Sequence, residues 1–267
     1  MAARTIRFDA AGSATKGSAE VVSEAAVNIV YGTLPYAVMM ATPSDLEDFV
    51  TGFSLTEGII RTVDEIRGIT ITPRAEGIVA SVDLAPGRFR EHLARRRNLS
   101  GRTSCGLCGV ESLADIPSAA PGGLRDASTI TPQAVAAALE ALETCQPLHR
   151  LTRSVHAAAW CGRDGSILAA REDVGRHNAL DKLIGARLRA GATAGDGFVL
   201  VTSRASFEMV EKTAIFGAST LVAVSAPTSL AVERARALGM TLVAVARRDG
   251  CIVFTGDLTP ERETAFP

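Results

Sequence analysis

The sequence predicts an α/β protein: a largely parallel, covered sheet preceded by a smaller α+β unit. Three observations carry this. Apolar runs at 198–203, 220–225 and 241–246 alternate with helical patterns at 206–216 and 229–238, the order of a parallel sheet covered by its crossovers. Before residue 85 the order is instead strand, strand, helix, strand, strand. Between the two, residues 117–131 are rich in Pro, Gly, Ala and Ser, which places a boundary near residue 125.

The elements follow in order. Residues 1–20 are small and polar and read as a flexible tail. The small unit, 21–125, starts with strand-like runs at 25–31 and 35–42 about a turn at Gly32. Ser44 with Glu47 three residues on predicts a capping box. Leu46, Phe49, Val50 and Phe53 then repeat at helical spacing. Two further strands are expected at 69–72 and 78–84, and residues 88–102 form a basic run containing Arg95, Arg96 and Arg97. The second unit, 126–267, opens with Thr131 as N-cap and Pro132 at the first helical position. Runs at 154–160 and 166–170 flank Arg163-Asp-Gly165, a hairpin signal. A helix follows, with Leu180, Leu183, Ile184 and Leu188 on one face. Gly217 and Gly239 stand at helix C-terminal caps, and 251–255 is a last strand.

Composition excludes several classes. The chain has 267 residues and a formal net charge of −1, so bulk charge offers no attraction to nucleic acid or a membrane surface. Lysine occurs only at Lys16, Lys182 and Lys212, so arginine supplies 25 of the 28 basic residues. Guanidinium suits bidentate phosphate contact, although a GC-rich coding sequence produces the same bias. Five cysteines in this length do not make a disulfide scaffold, and residues 1–20 lack the apolar core of a signal peptide. Residues 215–232 carry no charge but are broken by hydroxyls and Pro227, which reads as strand, loop and helix start. A reducing cytoplasm is the expected compartment.

Three segments are candidates for chemistry. Arg102-Thr-Ser-Cys105-Gly-Leu-Cys108-Gly109 sets a cysteine pair behind a basic run, and nearby arginines favour thiolate. Spacing alone leaves a redox dithiol, half a zinc site, a sulfur carrier and two unreactive thiols open. A zinc site is poorly supported, because no second cysteine pair completes four ligands. Arg171-Glu-Asp-Val-Gly-Arg176-His177-Asn-Ala-Leu-Asp-Lys182 joins the hairpin to a helix, whose N-terminus favours anions or is simply a solvated cap. Thr202-Ser203-Arg204-Ala-Ser206 follows an apolar strand, and Ser225-Ala-Pro-Thr228 follows the next. Loops at the carboxyl ends of parallel strands are where ligands bind, and two with donors suggest a phosphate or nucleotide site; routine capping is the alternative. His156 reads as a packed histidine, His92 and His149 as surface, and Cys145, Cys161 and Cys251 as buried. Glu172 and Asp173, adjacent on an extended chain, should point apart.

Taken in order with Thr56-Glu57-Gly58-Ile59-Ile60 and Ser203-Arg-Ala-Ser-Phe-Glu-Met-Val-Glu-Lys212, these segments resemble the FdhD/NarQ family of formate dehydrogenase accessory sulfurtransferases. The resemblance spans about residues 25–255. It implies a cytidine-deaminase-like αβα layered domain joined to a smaller N-terminal α+β domain. It implies that Cys105 takes persulfide sulfur from a cysteine desulfurase, with Cys108 as helper. The sulfur then passes to the molybdenum or tungsten of bis-(molybdopterin guanine dinucleotide), for formate dehydrogenase. By the same resemblance Val245, Ala246, Arg247, Arg248, Asp249 and Gly250 map to a cofactor-binding segment, with an aromatic in many relatives where Val245 stands. Arg176, His177, Ser203, Arg204, Ser206, Ser225 and Thr228 are the further candidates for holding its phosphates. A homodimer is implied as well. The deaminase zinc signature is absent: His156 is followed by Ala-Ala, and no Pro-Cys-x-x-Cys occurs. Two rival readings are a cofactor-binding chaperone and a thiol–disulfide oxidoreductase.

Overall fold

Apolar residues run almost without interruption along the central strands, so each strand offers both faces for burial. In the computed structural model both faces are covered. The structure describes residues 1–97 (backbone alone over 92–97), 119, 124, 130–192 and 194–259. Cys105, Cys108 and the boundary near 125 lie outside the described residues.

The first half comprises β1 (Ala2–Phe8), β2 (Ala14–Glu20), β3 (Ala25–Tyr31), β4 (Leu34–Ala41), α1 (Leu46–Thr56), β5 (Ile66–Arg74), β6 (Gly77–Leu84) and α2 (Pro86–Arg97). The second comprises α3 (Pro132–Leu142), α4 (Pro147–Thr152), β7 (His156–Gly162), β8 (Ile167–Asp173), α5 (Arg176–Arg189), β9 (Gly197–Val201), α6 (Phe207–Phe216), β10 (Thr220–Ala223), α7 (Ser229–Leu238), β11 (Thr241–Arg247) and β12 (Gly250–Thr255). The fold is mixed α/β with several sheets.

The larger sheet runs β12-β11-β10-β9-β7-β8. Its one face buries Ala157, Ala159, Phe198, Leu200, Val222 and Val243 against Val135, Ala138 and Leu142 of α3. The other face buries Trp160, Val199, Val201, Leu221 and Leu242 with Leu180 and Ile184 of α5, Met209 of α6 and Ala235 of α7. The expected largely parallel sheet is corrected to a mixed one. Only β9–β10 and β10–β11 pair in parallel; β7 with β8, β7 with β9, and β11 with β12 are antiparallel. Connection length explains this: α6 and α7 supply crossovers, while the short links at 163–166 and 248–249 allow only hairpins.

The smaller sheet runs β4-β3-β6-β5. α1 lies on it through Phe49, Val50 and Phe53, and α1 also packs on α5, so both halves share one continuous core. At the α1–α5 crossing Gly52 and Gly185 bring the backbones together. A Cβ on Gly185 would sit 1.8 Å from the Asp48 carbonyl oxygen, and one on Gly52 1.9 Å from that of Asp181.

Other expectations shift. Residues 2–20, expected as a loose tail, pair as the β1–β2 ribbon from Ala2↔Glu20 to Phe8↔Ala14. The Asp9 carboxylate closes its turn by accepting the Ala11 and Ser13 N–H groups, both at 2.9 Å. The capping box at Ser44 and Glu47 does not form; the α1 N-cap is Asp45, at φ 52, with no side-chain cap bond. Thr131 does cap α3, accepting from the Ala134 N–H at 3.1 Å with Pro132 at the first position. The uncharged 215–232 stretch divides into the end of α6, β10, a loop and the start of α7. No helix among the described residues is long and apolar enough to cross a membrane.

Candidate functional site

β8, β9, β10 and β11 all point the same way in the larger sheet, so their carboxyl ends share one edge. The loops leaving that edge carry most of the polar residues singled out from the sequence. Arg176 and His177 open α5 after β8, and Ser203, Arg204 and Ser206 lie between β9 and α6. Ser225 and Thr228 lie between β10 and α7, and residues 245–250 form the β11–β12 turn. Backbone bonds lace the loops together: Ser225 N–H to Ser203 carbonyl at 3.4 Å, Thr228 N–H to Ala205 carbonyl at 3.0 Å, and Val245 N–H to Ser225 carbonyl at 3.2 Å. His156, first in β7, reaches the same edge opposite Asp173.

Donors at this edge are left open. Arg176 Nε and Ser206 Oγ are buried with no hydrogen-bond partner among the described residues. The N-caps of α5 and α6, Gly175 and Ser206, make no side-chain cap bond, so the first N–H groups of both helices remain unpaired by side chains. Two such N-termini beside an arginine suit a phosphate or diphosphate. Thr228, by contrast, caps α7 through the Ala231 N–H at 3.3 Å. His177 Nε2 lies 2.7 Å from Glu208 Oε2. That contact, against burial, holds the Glu208 carboxyl below its usual range.

The 245–250 segment is placed differently. Val245 has φ 51, an unfavourable conformation for a β-branched residue, at a bulge between Ala244 and Arg247. Arg247 turns back onto the Val224 carbonyl, and Arg248 Nη2 pairs with Glu143 at the end of α3, 2.5 Å away. Asp249 and Gly250 are exposed.

Burial pushes the His156 imidazole below its ordinary 6.5, and Arg176 and His177 push it the same way. The folded state therefore takes up a proton less readily than the unfolded chain, and stability falls as pH drops through 6.5 toward the folded value. An NMR titration of the His156 ring should give a midpoint below 6.5, rising in Arg176→Ala; a midpoint at or above 6.5 would contradict the charge environment.

The 172–182 motif also does structural work that the sequence did not reveal. Glu172 and Asp173 do point apart. Glu172 accepts the Leu148 and His149 N–H groups of α4 at 2.9 and 2.8 Å. Asp173 is fully buried and receives Thr42 N–H (3.0 Å), Gly175 N–H (2.8 Å), Asn178 Nδ2 (3.0 Å) and Lys182 Nζ (2.6 Å). Lys182 also donates to the Thr42 carbonyl at 2.9 Å. A second buried knot joins Asp181 to Lys212 Nζ (2.9 and 3.0 Å) and to Thr56 Oγ1 (2.8 Å), with Glu57 3.7 Å from Lys212. Burial opposes the Lys212 charge, but Asp181 and Glu57 outweigh it and raise its pKa. Two of the three lysines are thus internal ties, each between the small sheet's α1 region and α5 or α6. A compact ammonium with three donors fits such a hole where a planar guanidinium does not.

Among the described cysteines, burial pushes the Cys161 and Cys251 thiols up, which disfavours thiolate. Cys161 is buried as expected; Cys145 and Cys251 are partly exposed. His149 is exposed and His156 half-buried.

Similarity to known proteins coincides with these features. The profile of the FdhD/NarQ family matches residues 22–262. The chain belongs to the FdhD/NarQ family. "Sulfur carrier protein FdhD" of Variovorax paradoxus (strain S110) is 46% identical over 235 residues, 88% of this chain and 84% of its own. The protein of the same name from Xanthomonas euvesicatoria pv. vesicatoria (strain 85-10) is 45% identical over 252 residues, 94% and 89% of the two chains. The crystal structure of a candidate formate dehydrogenase accessory protein from Desulfotalea psychrophila superposes with a TM-score of 0.75 at 26% identity, covering 98% of each chain. Of the segments that carry the resemblance, 56–60, 172–182 and 203–212 meet at the buried knots just described, and 225–228 lies at the sheet edge.

Proposed function

We propose that this chain is a sulfur carrier and sulfurtransferase for formate dehydrogenase. Its family membership carries the reading: relatives named sulfur carrier protein match it over 84–89% of their length at 45–46% identity. Cys105 is the proposed acceptor. Its thiolate attacks the outer sulfur of a desulfurase persulfide, forming the Cys105 persulfide and releasing the desulfurase thiolate. Cys108 then attacks the inner sulfur of Cys105, forming a disulfide and expelling hydrosulfide. That hydrosulfide would supply the sulfur for the molybdenum or tungsten of the client bis-(molybdopterin guanine dinucleotide), giving up its proton to solvent, and an external dithiol would reduce the Cys105–Cys108 disulfide before the next round.

The client is held, on this reading, at the carboxyl edge of the larger sheet. The open N-termini of α5 and α6, Arg176 Nε and Ser206 Oγ fit its phosphates, with Ser203, Arg204, Ser225 and Thr228 alongside. The 245–250 turn, with its strained Val245, would contribute backbone more than its guanidiniums, which are engaged elsewhere. The two-faced cover of the larger sheet supports a cytidine-deaminase-like layering. A cytoplasmic homodimer completes the reading.

The test is intact-protein mass spectrometry after incubation with cysteine and a cysteine desulfurase. Wild type should gain about 32 Da per sulfur, and Cys105→Ala should not. Absence of any gain in wild type would favour a chaperone that carries the cofactor without sulfur chemistry. Insulin reduction by the wild type would instead favour an oxidoreductase.

A further inference from the structure

The chain that carries Cys105 and Cys108 rejoins the described fold at Ala119, and there its backbone is held from both sides. The Ala119 N–H donates to Glu211 Oε2 at 2.7 Å, and its carbonyl accepts from Arg234 Nη2 at 2.7 Å. Arg234 Nε in turn pairs with Glu211 Oε1. The Glu211 and Arg234 side chains are only 4% and 16% exposed, so the contacts sit out of water, where charge-assisted bonds are strong. A single residue gripped at both its N–H and its C=O by one ion pair is a specific arrangement; helix–helix packing of α6 on α7 does not require it.

Before the cysteine pair, Arg88 stands at the start of α2. Its guanidinium donates to the Gly58 carbonyl at 2.6 Å and to the Ile59 carbonyl. Those carbonyls follow Glu57, which faces Lys212, the neighbour of Glu211. Arg88 therefore holds the loop after α1, which borders α6 through Glu57 and Lys212. Glu211 lies three residues beyond Glu208, about 4.5 Å along the helix axis. The downstream anchor thus stands within one turn of the His177–Glu208 pair and the open donors of the sheet edge.

We infer that Glu211 and Arg234 are positioning residues for sulfur delivery: by clamping Ala119 they set where the cysteine-bearing segment returns, beside the edge proposed to hold the client. This rests on the sulfur-carrier reading. Neither residue touches sulfur, so the clamp should affect delivery and not loading.

Glu211→Gln/Arg234→Met removes both charges together, which spares the fold an unpaired buried ion. Arg234→Lys is the conservative control, keeping the charge opposite Glu211. Three quantities are compared with wild type: amide exchange over 119–124, persulfide gained on Cys105 from a desulfurase, and activation of apo-formate dehydrogenase. In the double variant exchange at Ala119 should speed by about tenfold or more. Loading should be unchanged and activation should fall by about tenfold or more. Arg234→Lys should recover part of the activation. Unchanged exchange, or unchanged activation with faster exchange, would overturn the inference; so would equal losses of loading and activation. If wild type takes up no sulfur, the carrier reading fails, while the exchange arm still decides whether the clamp holds the segment.

Discussion

Lys182→Met is expected to cost about 3–5 kcal/mol of stability, because it strands the Asp173 carboxylate in the core. For a chain of this size that corresponds to a fall in Tm on the order of 10 °C. The magnitude follows from the site. Both side chains are fully buried, and Asp173 is the shared acceptor for groups from the β4–α1 link, the β8–α5 turn and α5 itself. Without the ammonium, the remaining N–H donors hold the carboxylate but do not neutralise it. Lys182→Met/Asp173→Asn leaves no charge behind and should be less damaging than Lys182→Met alone, although it still weakens the bonds to Thr42 and Gly175. Thermal or urea unfolding of the double variant and of both single variants, Lys182→Met and Asp173→Asn, decides this. A double variant as unstable as the sum of its parts would mean that the two charges are not coupled.

Gly185→Ala should cost about 3 kcal/mol, at the upper end of what overpacking a core usually does. The added Cβ would lie 1.8 Å from the Asp48 carbonyl oxygen and 2.9 Å from the Gly52 nitrogen. Those are backbone atoms of a packed helix and cannot swing aside, so α1 and α5 must separate. Separation also pulls on the Arg189–Asp48 contact (2.5 Å), which ties the same two helices together, and on the Arg171–Asp48 contact (2.8 Å), which ties α1 to β8. Gly87→Ala is the control: it sits in α2 with nothing within 4 Å of the new atom. There, the helix preference for alanine should leave stability unchanged or slightly raised. A Gly185→Ala protein as stable as Gly87→Ala would show that the crossing tolerates a wider gap.

These two sites also mark where the sequence was legible and where it was not. The order of strands from β3 to β12 could be read because apolar alternation and helical spacing are local patterns. The α3 cap at Thr131 could be read for the same reason. Ser44 misled because Asp45 takes the left-handed conformation and Glu47 turns to Arg189. The β1–β2 ribbon was hidden by small polar residues that carry almost no periodic signal, although Asp9 and Gly12 marked its turn. In the 172–182 motif the donors of Arg176 and His177 were visible as a helix start. The burial of Asp173, Asp181 and Lys182 was not, because Thr42, Thr56 and Lys212, which help enclose them, lie more than 100 residues away or on another helix.

The sequence by itself determined the element order, the shortage of lysine, the cysteine pair at 105 and 108, and the motifs that place the chain in its family. Only the tertiary structure decided that the sheet is mixed, that Gly52 and Gly185 mark a helix contact, and that two of three lysines are internal ties. It also decided that the polar loops share one edge and that Ala119 is gripped by α6 and α7. The physical reason is one of range. Periodicity, caps and turns act over a few residues and leave their mark in the local order of side chains. Burial of a charge, or the approach of two backbones, depends on residues brought together from distant parts of the chain.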